Sequence, residues 1–374
     1  MKLLFLTTGY LPMPAYKGGA IETLLQQYIN ANKNDVITIY SIGTKKIDKE
    51  KKEDNIEYRY IYTGLIFKLI TIIIGLLNFF PFFNIPRFYI MKIIKDLKKR
   101  NELNYYDDII LENTPKSIPY IRKYINSKLI LHVHNDYLNI NTKFGKSIIN
   151  NCDKIICVSK FIKSRVDEID YTNKSVVVYN GLNFEKFHNT YNKEYLRKKY
   201  NIDKNKKVIL YVGRLLKKKG IFELIDAFKK INDNNSILLI VGNGKKSITN
   251  KIKKDLNDNI LLLNYIDNSK ISEIYSLADI GVVPSKINEA FGLTVIEGLA
   301  CNLKMIVSND GAIPELIEKQ DTIIIDKNNL KNELESSLSI LMKTKKYKSN
   351  NIDFLKKRFN INVFIENLDK EIKS

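Results

Sequence analysis

The chain has 374 residues, enough for about two domains, and its hydrophobic content of 44% excludes a disordered protein. Its 61 basic and 41 acidic side chains give a formal net charge of +20, which favours a polyanionic partner: nucleic acid, an anionic membrane or a phosphorylated ligand. Cys152, Cys157 and Cys301 match no metal-binding spacing and are too few for a disulfide scaffold, so we expect buried thiols in a reducing cytoplasm.

The first residues predict a buried strand that leads into a phosphate-binding loop. Residues 2–8 form an apolar run of the parallel-sheet type, without the small-residue cleavage site of a signal peptide. A loop containing Gly18 and Gly19 follows, and then a pattern typical of a helix. Because glycine lets backbone amides approach a ligand closely, this strand, loop and helix favour contact with phosphate.

Short apolar runs then alternate with helical patterns. Alternation of this kind predicts a parallel sheet with helices on both faces. The predicted strands of this first half are 36–40, 56–62, 109–111, 129–133, 154–158 and 175–179.

One insertion, 64–100, interrupts the alternation. Residues 64–83 are almost wholly apolar, but a single membrane crossing would separate strands of one sheet, so we do not expect a transmembrane helix. Residues 85–100 combine apolar and basic positions at helical spacing, which predicts in-plane attachment to an anionic membrane surface. A buried helix with a solvated lysine face is the alternative.

A second unit of the same type begins near Lys206. Its predicted strands are 207–212, 236–241, 259–263, 280–283 and 304–307, followed by helices over 330–343 and 363–372. We therefore predict an α/β protein with two facing Rossmann-like domains and a cleft between them. The predicted domains are 1–190, 191–355 with donor-binding loops, and a C-terminal helix at 356–374 that returns to the first domain.

The stretch 288–297 holds two carboxylates, Glu289 and Glu297, between a strand and a helix. The amides of Phe291, Gly292 and Leu293 fall at the helix start, where unpaired donors attract anions. A nucleotide sugar fits such a site, because its phosphates need amides and its hydroxyls need carboxylate acceptors. Two solvated glutamates beside an ordinary loop are the alternative reading.

Further candidate residues follow other strands, where ligands of open α/β sheets bind. Arg214 and Lys219 lie after one strand and could neutralise a diphosphate, although a solvated basic turn is possible. Gly242 follows the next strand. His134 ends strand 129–133, and we expect His132 to point to the other face. The sequence offers no Asp-x-Asp motif at a strand end and no His/Cys/Asp cluster, so we expect no metal ion.

Together these residues resemble the retaining glycosyltransferases of family four, which have the GT-B fold. The carboxylate pair spaced eight apart is similar to the family signature, and five further pieces occur in the expected order over about residues 3 to 320. One difference is Asn264, where relatives often have glycine before the segment that contacts the base. The five pieces are Gly18-Gly19-Ala-Ile-Glu22, His134, Asn180-Gly181-Leu-Asn, Val212-Gly-Arg214 with Lys219-Gly220, and Asp310-Gly-Ala-Ile-Pro-Glu315.

The resemblance implies roles for these residues. Arg214 and Lys219 would bind the donor diphosphate, and Glu297 would accept hydrogen bonds from the ribose. Glu289 and His134 would contact the transferred sugar as the catalytic residues. The remaining donor contacts implied are Gly18, Gly19, Gly242, Ile266, Phe291, Gly292 and Leu293.

We therefore predict a metal-independent, retaining glycosyltransferase with no cofactor besides its nucleotide-diphosphate sugar substrate. The acceptor would be a polysaccharide or lipid-linked glycan, reached at the cytoplasmic face of the cell membrane through 64–100. Two other classes remain open: a non-catalytic sugar- or membrane-binding protein on the same scaffold, and a nucleic-acid-binding protein. The second alternative is disfavoured because the basic residues are scattered rather than striped and form no recognised motif.

Overall fold

A computed structural model describes residues 1–16, 18–43, 50–79, 86–188, 192–267, 269–318, 322–344 and 350–374. The residues group into two compact units, Met1–Tyr179 with Phe364–Ser374, and Asn180–Val363. From the sequence we placed the domain ends at 190 and 355. The C-terminal segment belongs to the first unit.

The described part of the first unit contains an eight-stranded sheet in the order β3-β4-β2-β1-β5-β6-β7-β8. All neighbours are parallel except β3 and β4. The inner strands are apolar and fully buried because helices cover both faces of a parallel sheet. The strands are β1 Lys2–Leu6, β2 Val36–Gly43, β3 Glu50–Glu53, β4 Ile56–Tyr62, β5 Asp108–Glu112, β6 Lys128–Val133, β7 Lys154–Cys157 and β8 Ser175–Val177.

The helices of this unit follow the strands in the expected alternation. They are α1 Ala20–Ala31, α2 Leu65–Leu77, α3 Phe88–Lys99, α4 Ile118–Ile121, α5 Gly145–Asn151 and α6 Lys160–Asp167.

The insertion forms two helices with opposite surroundings. α2 has no buried residue, and its apolar side chains are exposed, Leu65 at 75% and Ile66 at 73%. α3 instead buries its apolar face in the unit, including Ile93 and Leu97. The prediction that the apolar face of 85–100 lies in a membrane is therefore wrong for α3, and the buried-helix alternative is confirmed there. Residues 80–85 fall outside the described residues.

No helix among the described residues has both the length and the apolar character to span a bilayer.

The second unit has, among its described residues, a six-stranded parallel sheet in the order β11-β10-β9-β12-β13-β14. One hydrophobic core joins β9, β10 and β12 to the helices that cover them. The strands are β9 Lys207–Val212, β10 Ser236–Val241, β11 Ile260–Leu262, β12 Ile280–Val283, β13 Lys304–Ser308 and β14 Thr322–Ile325. The helices are α7 Lys193–Lys199, α8 Ile221–Ile231, α9 Lys246–Lys253, α10 Ile271–Leu277, α11 Leu293–Ala300, α12 Ile313–Leu316, α13 Leu330–Lys343 and α14 Ile352–Phe359. The last helix, α15 Ile361–Lys373, continues from the second unit into the first.

Candidate functional site

In the second unit the strand order reverses between β9 and β12, and such a switch point opens a crevice at the carboxyl ends of the strands. The loop after β9 carries Arg214 and Lys219, and the loop after β12 carries Glu289. Lys219 Nζ forms a salt bridge with Glu289 Oε1, and both side chains are more than four-fifths buried. The structure thus brings together two predicted site residues that are 70 positions apart.

Arg214 lies beside this pair with its side chain exposed. Its backbone is fixed, because the Tyr211 hydroxyl donates a hydrogen bond of 3.1 Å to the Arg214 carbonyl oxygen. Burial raises the pKa of Tyr211 far above neutral, and the charge of Glu289 adds to the effect, so the hydroxyl keeps its proton. A fixed backbone with an exposed guanidinium suits the binding of a diphosphate.

Gly292 directly precedes α11 and adopts φ +111°, a backbone conformation that residues with a Cβ rarely adopt. No side chain caps this helix start in the described structure. Phe291 is buried, and its ring meets Phe359 edge-on with centroids 5.9 Å apart, which anchors the loop. Leu293 is the first helical residue, so the backbone of all three residues lies at the helix terminus.

The small-residue loop after β13 contacts the backbone of Glu289. The Ala312 amide donates a 2.8 Å hydrogen bond to the Glu289 carbonyl oxygen. A Cβ at Gly311 would come within 2.3 Å of that same oxygen, so only glycine allows this approach. The stretch Asp310–Glu315 therefore holds the backbone of a candidate site residue.

Glu297 lies one turn into α11 and contacts a residue that the sequence analysis missed. The Tyr275 hydroxyl, on α10, donates a 2.7 Å hydrogen bond to Glu297 Oε2. Burial raises the pKa of Glu297, and the nearby charge of Lys186 partly opposes that rise. Burial lowers the pKa of Lys186 in turn. Tyr275 and Lys186 belong to no motif, and only the fold brings them to Glu297.

The segment predicted to contact a nucleotide base follows β11. The Gly242 amide donates a 2.7 Å hydrogen bond to the carbonyl oxygen of Asn264. Asn264 has φ +33°, and asparagine tolerates positive φ better than other side chains do, which explains how it replaces glycine. Tyr265 is 56% exposed, and Ile266 is half-buried.

In the first unit the strand order reverses between β1 and β5. Gly18 and Gly19 lie after β1, with φ +70° and +100°, and Gly19 begins α1. The Thr8 hydroxyl donates a 3.0 Å hydrogen bond to Glu22 Oε1. Burial raises the pKa of Glu22, and the charge of Glu112 at the end of β5 raises it further. Glu22 on α1 and Glu112 at the end of β5 are thus two buried carboxyl groups that interact.

His134 contacts Glu112, a second residue absent from the predicted site. His134 Nε2 lies 2.7 Å from Glu112 Oε2, and His132 Nδ1 lies 3.2 Å from the same oxygen. The histidine ring centroids are 4.0 Å apart. The expectation that His132 points away from His134 is wrong, because side chains two positions apart on a strand share a face.

Electrostatics shifts the pKa values of Glu112 and His134. Burial alone would raise the pKa of Glu112, but the charge of His132 and the hydrogen bonds from both histidines hold it at about 2. Burial, with the charge of His132, lowers the pKa of His134 to about 4. At neutral pH Glu112 is a carboxylate and His134 is neutral. His134 Nε2–H therefore donates to Glu112, which leaves Nδ1 as an acceptor.

The same three residues are the group in the described structure that could hold a metal ion, with donor atoms within 4.8 Å of one another. The expectation that no such cluster exists is therefore wrong. The sequence did not reveal it because Glu112 is 20 residues from His132 and joins it only through the pairing of β5 with β6. Two histidines and a carboxylate form a set that binds zinc.

Comparison with known proteins yields matches over most of the chain. Residues 192–357 match the model of the family described as glycosyl transferases group 1. Residues 46–186 match the model described as glycosyltransferase family 4.

Several relatives and solved structures are similar over nearly the whole chain. The putative glycosyltransferase YtcC of Bacillus subtilis is 25% identical, with 88% of this chain and 80% of the relative covered. The lipopolysaccharide 1,2-N-acetylglucosaminetransferase of Salmonella typhimurium is 26% identical, with 84% and 82% covered. The structure of Anabaena Alr3699/HepE with UDP and glucose has a TM-score of 0.73 at 18% identity, and both chains are covered completely.

Proposed function

The chain belongs to the glycosyl transferases group 1, and from this premise we propose that it transfers a sugar from a nucleotide-diphosphate sugar to a glycan or lipid-linked acceptor. The anomeric configuration is retained. The single observation that carries the proposal is the set of residues around α11 in the second unit. There Glu289, which pairs with Lys219, the helix start without a side-chain cap, and Glu297, which pairs with Tyr275, follow one another along one strand–loop–helix segment.

Each part of this set suits one part of the donor. Arg214, Lys219 and the α11 amides suit the diphosphate, because cations and helix termini stabilise phosphate charge. Glu289 suits the sugar hydroxyls, and its salt bridge with Lys219 fixes its position. Glu297 suits the ribose hydroxyls, which can donate to the carboxylate oxygen that Tyr275 leaves free.

During transfer the bond from the anomeric carbon to the diphosphate oxygen breaks, and a bond to the acceptor hydroxyl oxygen forms. The acceptor proton passes to the leaving phosphate on the same face of the sugar. Negative charge grows on that phosphate as the bond breaks, so Arg214 and Lys219 bind it more strongly in the transition state. This arrangement requires no acid–base pair from Glu289 and Glu297.

The names of relatives support the class of substrate. One is called a lipopolysaccharide N-acetylglucosaminetransferase, and another an alpha-monoglucosyldiacylglycerol synthase. A solved neighbour holds UDP and glucose. We infer a nucleotide sugar as the donor and an envelope polysaccharide or lipid-linked glycan as the acceptor.

The test is a donor screen. The purified protein is incubated with UDP-, GDP- and dTDP-sugars and a lipid-linked acceptor, and nucleotide release is measured. We expect release with one donor class and loss of it in Arg214→Ala and Glu289→Gln. Proton NMR of the product then reports whether the anomeric configuration is retained. No release with any donor, together with unchanged nucleotide binding in both variants, would refute the proposal.

We propose that transfer needs no metal ion. The hydrogen bonds among Glu112, His132 and His134 already link the donor atoms that a metal would use. Activity should therefore be the same before and after dialysis against EDTA. Loss of activity on dialysis and its recovery with zinc would contradict this part of the proposal.

We also propose that α2 attaches the protein to the inner face of the cell membrane. None of its described side chains is buried, and exposed apolar patches mark contact surfaces. Replacing Ile66, Leu69 and Ile73 by serine should abolish co-flotation with anionic vesicles and leave the unit folded, because none of the three is buried. Equal flotation of this variant and the native protein would exclude α2 as the attachment.

A further inference from the structure

A basic cavity of about 350 Å³ lies in the first unit, near the edge of the sheet that β3 and β4 form. The end of β4 forms one wall with Tyr60 and Tyr62, and α3 forms the other. Neither Glu112 nor His134 lines it. The motifs described above do not account for this cavity. Its cationic lining is Arg59, Lys92, Lys95, Lys99 and Arg100.

The two arginines of the lining are already neutralised. Arg59 Nε lies 2.9 Å from Glu57 Oε1, and its Nη2 lies 3.1 Å from Glu102 Oε1. Arg100 forms salt bridges with Asp96, at 2.9 Å, and with Glu50. These pairs also occupy the acidic side chains of the cavity, Glu50 and Asp96.

The three lysines have no such partner. Lys92, Lys95 and Lys99 project from one face of α3, because residues three and four apart lie together on a helix. No salt bridge joins any of them to a carboxylate among the described residues. Within the described part of the chain the cavity therefore presents uncompensated positive charge, which favours an anionic ligand.

This charge is continuous with the apolar surface of α2. Lys92 Nζ lies 5.0 Å from the centroid of the Phe88 ring, and Phe88 packs against Phe67 of α2 with centroids 5.3 Å apart. Tyr62, in the cavity wall, is three residues before Leu65, the first residue of α2. One continuous surface thus has an apolar part and a cationic recess beside it, as the boundary between acyl chains and headgroups requires.

We propose that this cavity binds the phosphate group of an anionic membrane lipid while α2 lies among the acyl chains. Lysine ammonium groups act as point charges that bind phosphate from several directions, and three of them match its several oxygens. The inference rests on the proposed attachment of α2 to the membrane. It adds a specific headgroup site, so that the protein recognises phosphate rather than negative charge in general.

The test compares two kinds of vesicle of equal charge, phosphatidylcholine with phosphatidic acid and phosphatidylcholine with oleate. We expect the native protein to bind the phosphatidic acid vesicles at least about tenfold more tightly, since phosphate offers more acceptor oxygens than a carboxylate and each further charge-assisted hydrogen bond contributes about tenfold or more. Lys92→Gln/Lys95→Gln/Lys99→Gln should remove that preference. The control Lys33→Gln/Lys98→Gln/Lys123→Gln removes the same charge from exposed lysines outside the cavity, and should keep it.

Four outcomes decide the inference: three would overturn it, and one would support it. Equal binding to both vesicles, or equal losses in the two triple variants, would mean that the membrane attracts charge alone. Free glycerol phosphate would support the site if it releases the native protein from the vesicles at concentrations that leave the cavity variant, Lys92→Gln/Lys95→Gln/Lys99→Gln, bound. A cavity that binds glycerol phosphate without any effect on vesicle binding would serve a soluble ligand instead.

The experiment also separates this inference from the proposals on which it rests. If the α2 serine variant loses flotation and the cavity variant keeps its phosphate preference, attachment stands and the headgroup site is wrong. If the native protein binds neither vesicle, both membrane proposals fail. Sugar transfer to a soluble acceptor is measured separately in the α2 serine variant and in the two triple lysine variants, and it should not change in any of these three.

Discussion

Replacing Glu112 by glutamine tests how the buried carboxylate of the first unit stabilises the histidine pair. Glu112 is 1% exposed and accepts hydrogen bonds from both His132 and His134. Glutamine has nearly the same shape and keeps one carbonyl oxygen, but it has no charge. The variant therefore removes the ionic contribution and leaves most of the packing unchanged.

The pKa of Glu112 gives the magnitude. It lies at about 2, against an ordinary value of 4.5, and one pKa unit corresponds to about 1.4 kcal/mol. The ionised carboxylate therefore stabilises the fold by up to about 3 kcal/mol at pH 7. Because the folded-state pKa is lowered, this contribution is complete above pH 4.5 and is lost as the pH falls towards 2. Glutamine retains a hydrogen bond, so we expect a loss of about 2–3 kcal/mol.

The assay is urea unfolding at pH 7 and at pH 4, followed by amide hydrogen exchange of strands in the first unit. The exposed pair of Glu168 with Arg165 gives a matched control, because Glu168→Gln should change stability by less than about 1 kcal/mol. The difference between Glu112→Gln and the native protein should shrink on acidification. A loss at pH 7 no larger than that of the control would refute the electrostatic argument.

Three further predictions concern individual site residues. Nitrogen NMR of His134, one of only three histidines, should show a neutral ring with the proton on Nε2 down to about pH 4; a proton on Nδ1 would contradict the hydrogen bond to Glu112. Glu289→Ala should lower kcat about 100-fold with little effect on nucleotide affinity, because the proposed contact of Glu289 is with the transferred sugar and not with the nucleotide. An effect confined to affinity would show a different role. Glu297→Gln should weaken nucleotide binding by about tenfold. The variant should also lack the fall in nucleotide affinity at acid pH, because burial raises the pKa of Glu297 and the native carboxylate protonates as the pH falls. Calorimetry that finds the same pH dependence of binding in both proteins would count against this.

Much of the fold could be predicted because its strands are buried on both faces. The α/β GT-B fold is confirmed, since the runs predicted at 2–8, 207–212 and 280–283 occupy inner positions of the two sheets and carry an unbroken apolar signal. β3 was missed because an edge strand of charged residues, Glu50–Glu53, has no such signal. For α3 the amphipathic pattern was correct, but periodicity alone does not reveal whether an apolar face meets lipid or protein.

The candidate site could be predicted only where its residues belong to one local pattern. Glu289, Gly292 and Glu297 fall within one strand–loop–helix, so their spacing predicts their proximity. Tyr275 reaches Glu297 in the second unit, and Glu112 reaches His134 in the first, through the packing of other elements, and nothing adjacent to them in sequence indicates these contacts. The roles assigned to the individual residues stay predictions.

The C-terminal segment Phe364–Ser374 has a consequence for how the protein is made. Tyr28 donates a 2.9 Å hydrogen bond to Asp369, Lys154 pairs with Glu371 at 3.0 Å, and Lys373 pairs with Asp35 at 2.9 Å. A ribosome synthesises these partners only after the entire second unit. We therefore expect the first unit, although its sheet is complete early, to reach its full stability only when this segment has been made. Premature termination after 363 would then destabilise the unit that was made first.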